Sequence, residues 1–285
     1  MTEDALPLHW QQWVELGTAP AHGTVLIVHG LGEHVGRYAH VAARLNRWGW
    51  RVVGHDQRGH GSSGGARGDV PDGECLLRDL AQVIDHVRAD PALGRGPLLL
   101  LGHSLGGLVA ARFVVGGLAA SCGGQLPMWF RPVDGLVLSS PALDLGLSGL
   151  QGLKLALGAG LAPHLAVGNG LKPSWLSRDP AVVRAYTADP LVHDRVTPML
   201  VRMMVEGGEL VRQHAADWAV PTLLLWAGGD RCVAAAGSAE FAANAPAPML
   251  RFQCFEALAH EVFNEPEQEQ VFAQLQAWLA QRFGA

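Results

Sequence analysis

A chain of 285 residues, 49% of them apolar and 16% charged, can bury one large core, or a core with a subdomain, without disulfides or metals. Its net charge of −5, with no long run of like charge, leaves no basic field for a phosphate backbone, which excludes nucleic acid as an expected partner. Four cysteines, Cys75, Cys122, Cys232 and Cys254, have no C-x-x-C spacing; they exclude a secreted disulfide framework and read as free thiols, most of them buried.

The first residues, MTEDALPLHWQQW, are acidic and have neither a basic nor a long apolar stretch, so no export signal is expected and the cytoplasm is the default compartment. Beyond them, short apolar runs alternate with longer segments of helical period. Strands are expected at 24–30 (TVLIVHG), 50–56 (WRVVGHD), 97–103 (PLLLLGH), 133–140 (VDGLVLSS), 221–229 (PTLLLWAGG) and 249–255 (MLRFQCF). Several are apolar at every position, as strands covered on both faces are. Segments 36–49, 75–90 and 269–283 carry apolar residues at three- and four-residue intervals and read as amphipathic helices. Such alternation implies an α/β fold, a mostly parallel sheet with helices on both faces.

The alternation fails once, between Asp144 and Asp217, where ~70 residues give helical and irregular signals and no convincing strand, too long for a loop in a compact domain. The expected organisation is therefore a core in two parts, 1–143 and 217–285, interrupted by an inserted segment, 144–216. Residues 145–171 look membrane-like, but Lys154 and seven glycines interrupt them before the ~18 apolar residues of a spanning helix accumulate.

The spacing G-x-S-x-G, which places a nucleophilic serine on a sharp strand-to-helix turn, occurs at 61–65 (GSSGG) and at 102–106 (GHSLG). Ser104 follows the most apolar run of the chain and precedes LGGLVAARFVVGG, whose small residues allow a helix to pack closely on a strand. Ser63 has no strand before it and reads as part of a flexible Gly-Ser loop. Gly102 and Gly106 have a steric reason, because side chains there would collide with neighbouring backbone in the strained turn.

A serine hydroxyl needs a base, and the base needs an orienting acid, which in this arrangement follow the serine in the order acid, then His. Asp230 lies in the turn after one apolar strand and His260 just after the next. Asp144, after the strand that follows the serine, could replace Asp230 geometrically. Glu256 and Glu261 flank His260 too closely to orient its ring, and His164, His193 and His214 all lie in the inserted segment. Oxyanion donors are expected from the backbone N–H groups of Leu105 and, in the loop VHGLGEH, of Leu31. That loop also suggests a dinucleotide site, with Gly30, Gly32, Gly36 and Asp56, but its third glycine is one position late and Glu33 would face a pyrophosphate. His29 and His34 lack nearby partners at metal-ligand spacing.

Together the blocks HGLGEHVGRY, HDQRGHGSSGGARG, LLGHSLGG, SRDPAVVRAYTADPLV, WAGGD and AHEVFNEP resemble the monoglyceride lipase and lysophospholipase family of α/β hydrolases, from about residue 8 to the C-terminus. The resemblance implies the α/β-hydrolase fold and a serine esterase with Ser104, Asp230 and His260 as its triad. It also implies a helical cap over the site at 144–216, and no cofactor or metal. GSSGG then belongs to a loop near the site. The expected substrate is a monoacyl lipid ester, a monoacylglycerol or a lysophospholipid. The alternatives are a carboxylesterase or thioesterase for short acyl groups, or a hydrolase-fold binding protein without catalysis. Leu155 and Leu161 are expected to line an acyl wall. Because segment 145–171 is unusually rich in Gly, Leu and Ala, both ordinary cap packing and a peripheral membrane contact through the cap stay open.

Overall fold

The computed structural model describes residues 2–13, 21–121 and 125–284. Its strands are β1 (Trp10–Trp13), β2 (Thr24–Val28), β3 (Arg51–His55), β4 (Leu98–His103), β5 (Gly135–Ser139), β6 (Val167–Gly168), β7 (Arg195–Val196), β8 (Thr222–Ala227) and β9 (Leu250–Phe255). Its helices are α1 (Ala39–Arg47), α2 (Cys75–Ala89), α3 (Leu105–Ser121), α4 (Gly149–Leu161), α5 (Pro180–Ala188), α6 (Pro198–Gln213), α7 (Ala235–Asn244) and α8 (Gln268–Phe283). Seven strands form one sheet in the order β1-β3-β2-β4-β5-β8-β9, parallel except for β1, which runs antiparallel to β3.

The continuous apolar character of the central strands follows from their two buried faces. Along β2, Val25 and Ile27 point into a core with α1 and α8, whereas Leu26 and Val28 point into a second core with α2 and α3. Leu98 and Leu100 likewise alternate with Leu99 and Leu101 along β4. Shifting a central strand by one residue would exchange these sets between two differently shaped cores, so the pleat fixes the register.

The sheet order also fixes where a site can form. From β2 the chain passes to β3 on one side and then returns across it to β4 on the other, which makes the β2–β4 boundary a topological switch point. A crevice opens at the carboxyl ends of strands at such a point. Val28 pairs in register with Gly102, so continuing that register sets His29 opposite His103 and Gly30 beside Ser104.

β1 was not among the expected strands. It is a four-residue, half-buried edge strand, and Trp10 and Trp13, three residues apart, do not show the two-residue alternation by which a half-buried strand is recognised. The stretch between β5 and β8 contains α4, α5 and α6, together with the antiparallel pair β6–β7, which is two residues long on each side. α6 packs along α3 and shares its core through Leu200, Met203, Met204 and Val211, and α4 lies on α6 further out. Main-chain bonds tie this segment to the sheet: Thr197 N–H to Gly68 O (3.0 Å), His193 N–H to Gly32 O (2.8 Å) and Glu261 N–H to Leu176 O (2.8 Å). Cys75 is buried, Cys232 and Cys254 are half-buried free thiols, and Cys122 lies outside the described residues. No described helix is long and apolar enough to cross a membrane.

Candidate active site

Ser104 sits between β4 and α3 with φ +52°, the left-handed region that side chains other than Gly rarely adopt. The turn is held by Ser104 N–H donating to Ser139 O (3.0 Å), while Ser104 O accepts from the N–H groups of Leu108 and Ala142 (3.0 Å each). A Cβ at Gly102 would press on the Gly106 carbonyl, and one at Gly106 would collide with the carbonyl oxygens of Val28 and His29. These contacts are the physical reason for both glycines of the motif. A Cβ at Gly30 would lie 3.3 Å from that of Ser104, so the loop after β2 borders the serine directly. The N–H groups of Leu31 and Leu105 have no acceptor among the described residues.

His260 and Asp230 come together: Nδ1 lies 2.7 Å from Asp230 Oδ2, with both side chains at 3% exposure or less. A carboxylate oxygen only accepts, so Nδ1 carries a proton and, in the neutral ring, Nε2 keeps a lone pair. Asp230 Oδ1 in turn accepts the N–H groups of Cys232 (2.8 Å) and Val233 (3.1 Å). Burial disfavours charge on His260, but the Asp230 carboxylate, with Glu261 and Glu33 beyond it, outweighs burial and raises its proton affinity above the ordinary value. The alternative acid, Asp144, accepts from Gly146 N–H (2.8 Å). His103, the neighbour of Ser104, has its ring centre 4.7 Å from that of His260, and burial together with His260 pushes it down to about 4. Ser104 Oγ and His260 Nε2 are not hydrogen-bonded to each other, a contact that apo sites often close only around substrate.

The second serine motif has a different occupation. Ser63 Oγ donates to Asp56 O (2.5 Å) and accepts from His9 N–H (2.8 Å), so its hydroxyl fastens the loop to the chain before β1. The glycine loop after β2 is closed to a pyrophosphate, because Glu33 already accepts from Gly30 N–H at 2.6 Å. His29 Nε2 accepts from Gln57 N–H and its Nδ1 lies 2.8 Å from Gly30 O, while His34 pairs with Asp189 (2.8 Å). One described cluster has ligand atoms close enough for a metal ion: Asp230, Cys232 and His260, within 4.8 Å of one another. An ion there would have to break the Asp230–His260 bond, and burial raises the Cys232 thiol above its usual range, against thiolate ligation.

Sequence reasoning missed the surroundings of His260. Arg37 grips Glu261 and also reaches Glu33, while Tyr38 OH donates to Glu33 at 2.6 Å. The signal was present as the i,i+4 spacing of Glu33 and Arg37 in GLGEHVGRY. A cavity of about 570 Å³ runs between α4 and α6, and its lining mixes apolar residues such as Leu143, Leu155, Ala159 and Met204 with the charged Asp144, Arg202, Glu206, Glu209 and Arg212. None of Ser104, Asp230 and His260 lines it; its link to the serine is Leu143, the residue after Ala142, whose N–H is bonded to Ser104 O. Leu155 lines it, but Leu161 does not: it is 85% exposed at the last position of α4, on the outward side of the helix, which corrects the expectation that it forms part of an acyl wall.

A parallel sheet with a serine on the strand-to-helix turn at its switch point, and a buried Asp–His pair on the loops that follow, defines the α/β-hydrolase class. Within that class the chain matches the Hydrolase_4 family (serine aminopeptidase, S33) over residues 19–267 and belongs to it. It is 35% identical to a monoacylglycerol lipase of Mycolicibacterium smegmatis, covering 90% of this chain and 88% of that one. It is 30% identical to a phospholipase of Bacillus subtilis, over 90% and 95% of the two chains. Among solved structures, the monoacylglycerol lipase of Paleococcus ferrophilus superimposes with a TM-score of 0.81 at 31% identity, over 97% of this chain and 99% of that one.

Proposed function

We propose that this chain is a serine ester hydrolase for monoacyl lipids, with Ser104 as nucleophile, His260 as base and Asp230 as the acid that orients it. The observation that carries the reading is the buried 2.7 Å bond between His260 and Asp230, which in the neutral ring leaves Nε2 unprotonated and able to take a proton from Ser104 Oγ. Oγ adds to the ester carbonyl, and the oxyanion is stabilised by the N–H groups of Leu31 and Leu105. His260 then gives its proton to the leaving alcohol, and the acyl-serine forms. Water, deprotonated by the same Nε2, adds to the acyl group and releases the fatty acid. None of these steps needs a cofactor or metal.

Residues 144–216 act as the cap in this reading, and the apolar part of the cavity between α4 and α6, with Leu155, takes the acyl chain. Leu150 (64% exposed), Leu157 (56%), Leu161 (85%) and Leu165 (62%) form an outward apolar face that supports peripheral contact with a lipid surface. The lipase and phospholipase names of the relatives support a monoacylglycerol or lysophospholipid substrate. A hydrolysis screen tests this directly, using monoacylglycerols, lysophosphatidylcholines and triacylglycerols from C2 to C18. Activity is expected to rise from C4 to about C8 on monoacyl esters, with long-chain triacylglycerols poor, since each buried methylene contributes ~0.8 kcal/mol. Preference for acetate over octanoate would make the enzyme a short-ester esterase instead.

A further inference from the structure

Arg37, in the turn Val35–Tyr38 before α1, joins three segments that meet at the site. Its Nη1 and Nη2 donate to Glu261 Oε1 and Oε2 at 2.7 Å each, the two parallel bonds of a guanidinium fork on a carboxylate. Nη1 also reaches Glu33, whose Oε1 accepts from Gly30 N–H and Tyr38 OH at 2.6 Å each. The guanidinium lies over the Tyr186 ring of α5, 4.8 Å from its centre. These side chains are nearly dry: Glu33 is 4% exposed, Glu261 5% and Arg37 12%.

Each carboxylate belongs or is bonded to the residue next to a proposed functional group. Glu261 follows His260 in the chain, and Glu33 holds the N–H of Gly30, which precedes Leu31. We propose that Arg37 is a positioning residue, a rigid link that fixes the His260 loop against the Leu31 loop and so sets the distance between the base and an oxyanion donor. This rests on the Ser104 reading above. A buried ion cluster that only held the fold would lose stability when broken and leave the chemistry of the folded enzyme unchanged. A link between base and oxyanion donor acts on kcat, because small displacements in such a geometry carry large rate penalties.

Three variants separate these roles: Arg37→Lys keeps the charge but loses the fork, Arg37→Gln loses both, and Glu261→Gln keeps the shape of its partner. On a soluble C8 monoester, Arg37→Lys and Glu261→Gln are each expected to lower kcat about 10- to 100-fold with KM within about threefold. The groups facing His260 are Asp230, Cys232, Glu261, Glu33 and His103. Arg37→Gln leaves Glu33 and Glu261 without their counter-charge, so the acid limb of kcat/KM moves to higher pH, whereas Arg37→Lys leaves that limb in place. The Arg37→Gln/Glu261→Gln pair is expected to cost no more than the worse single change, since both break one link. Wild-type kcat in folded Arg37→Lys and Glu261→Gln, or losses that multiply in the pair, would overturn the proposal. Ser104→Ala, run in parallel, separates the two levels. If it stays active the Ser104 reading is wrong, and if it is dead while the Arg37 and Glu261 variants turn over normally, only the positioning role is wrong.

Discussion

The sheet and the inserted helices use similar apolar residues to opposite ends. Val25, Leu26, Ile27 and Val28 of β2 are at most 1% exposed, whereas Leu150, Leu157 and Leu161 of α4 are all more than half exposed. A strand covered on both faces has one place to put a leucine. A helix riding on another helix, itself one layer above the sheet, has an outer face with nothing on it. The buried titratable groups divide the same way: His29, Glu33, His103, Asp230 and His260 all stand on loops or ends of sheet strands. The inserted segment reaches their neighbours, through main-chain bonds at Gly32 and Glu261, the Tyr186 ring on Arg37 and the Asp189–His34 pair. On the proposed reading, chemistry therefore sits in the sheet half, and the choice of substrate in the inserted half.

The largest expected effect tests the sheet half. Ser104→Ala should lower kcat by about 10⁶ without changing the unfolding midpoint. Ser63→Ala should keep activity within a few-fold but lose about 1–3 kcal/mol of stability, since the Ser63 hydroxyl bonds Asp56 O and His9 N–H. Dead Ser63→Ala and active Ser104→Ala would reverse the assignment. Next, Asp230→Asn should favour the wrong tautomer of His260 and cost about 10⁴ in kcat, whereas Asp144→Asn, which loosens only the Gly146 turn, stays near wild type. Equal losses at the two positions would break the division.

The inserted half is tested by chain length. Leu155→Ser removes cavity wall and should flatten the roughly fourfold gain per methylene expected from ~0.8 kcal/mol each, leaving acetate ester hydrolysis unchanged. Leu161→Ser, outside the cavity, should leave the profile on soluble esters intact and weaken only turnover of substrate presented in vesicles. The smallest effect is on pH. His260 works as a base when neutral, and its proton affinity is raised, so kcat/KM should fall as pH drops through a midpoint above 6.5. A midpoint below 6.5 would mean that Asp230 is not ionised beside it.

β2, β4, β5 and β8 were legible because burial on both faces leaves a nearly unbroken apolar run, whereas the half-exposed edge strand β9 alternates apolar and polar residues. The expected ranges overran the observed ends by up to two residues, and the overrun holds His29, Gly30 and Ser140, the start of the loops around the serine. Ser104 and Asp230 stood out as candidates because each follows such a run, and His260 because it follows the last strand. The Arg37 link did not, since its partners are more than 200 positions apart and only the folded chain brings them together. Glu261 is too close to His260 in sequence to orient its ring, and its partner, Arg37, lies on another loop. The side to which Leu161 points was equally hidden, because a helix that is apolar nearly all round does not reveal its outer face.

The most direct test of the central claim is to locate the nucleophile chemically. The protein is treated with a long-chain alkyl fluorophosphonate, digested, and the adduct mapped by mass spectrometry. The account predicts one adduct per chain, on Ser104, absent from Ser104→Ala, unchanged in Ser63→Ala and slowed by orders of magnitude in Asp230→Asn. An adduct on Ser63, or undiminished labelling of Ser104→Ala, would contradict it.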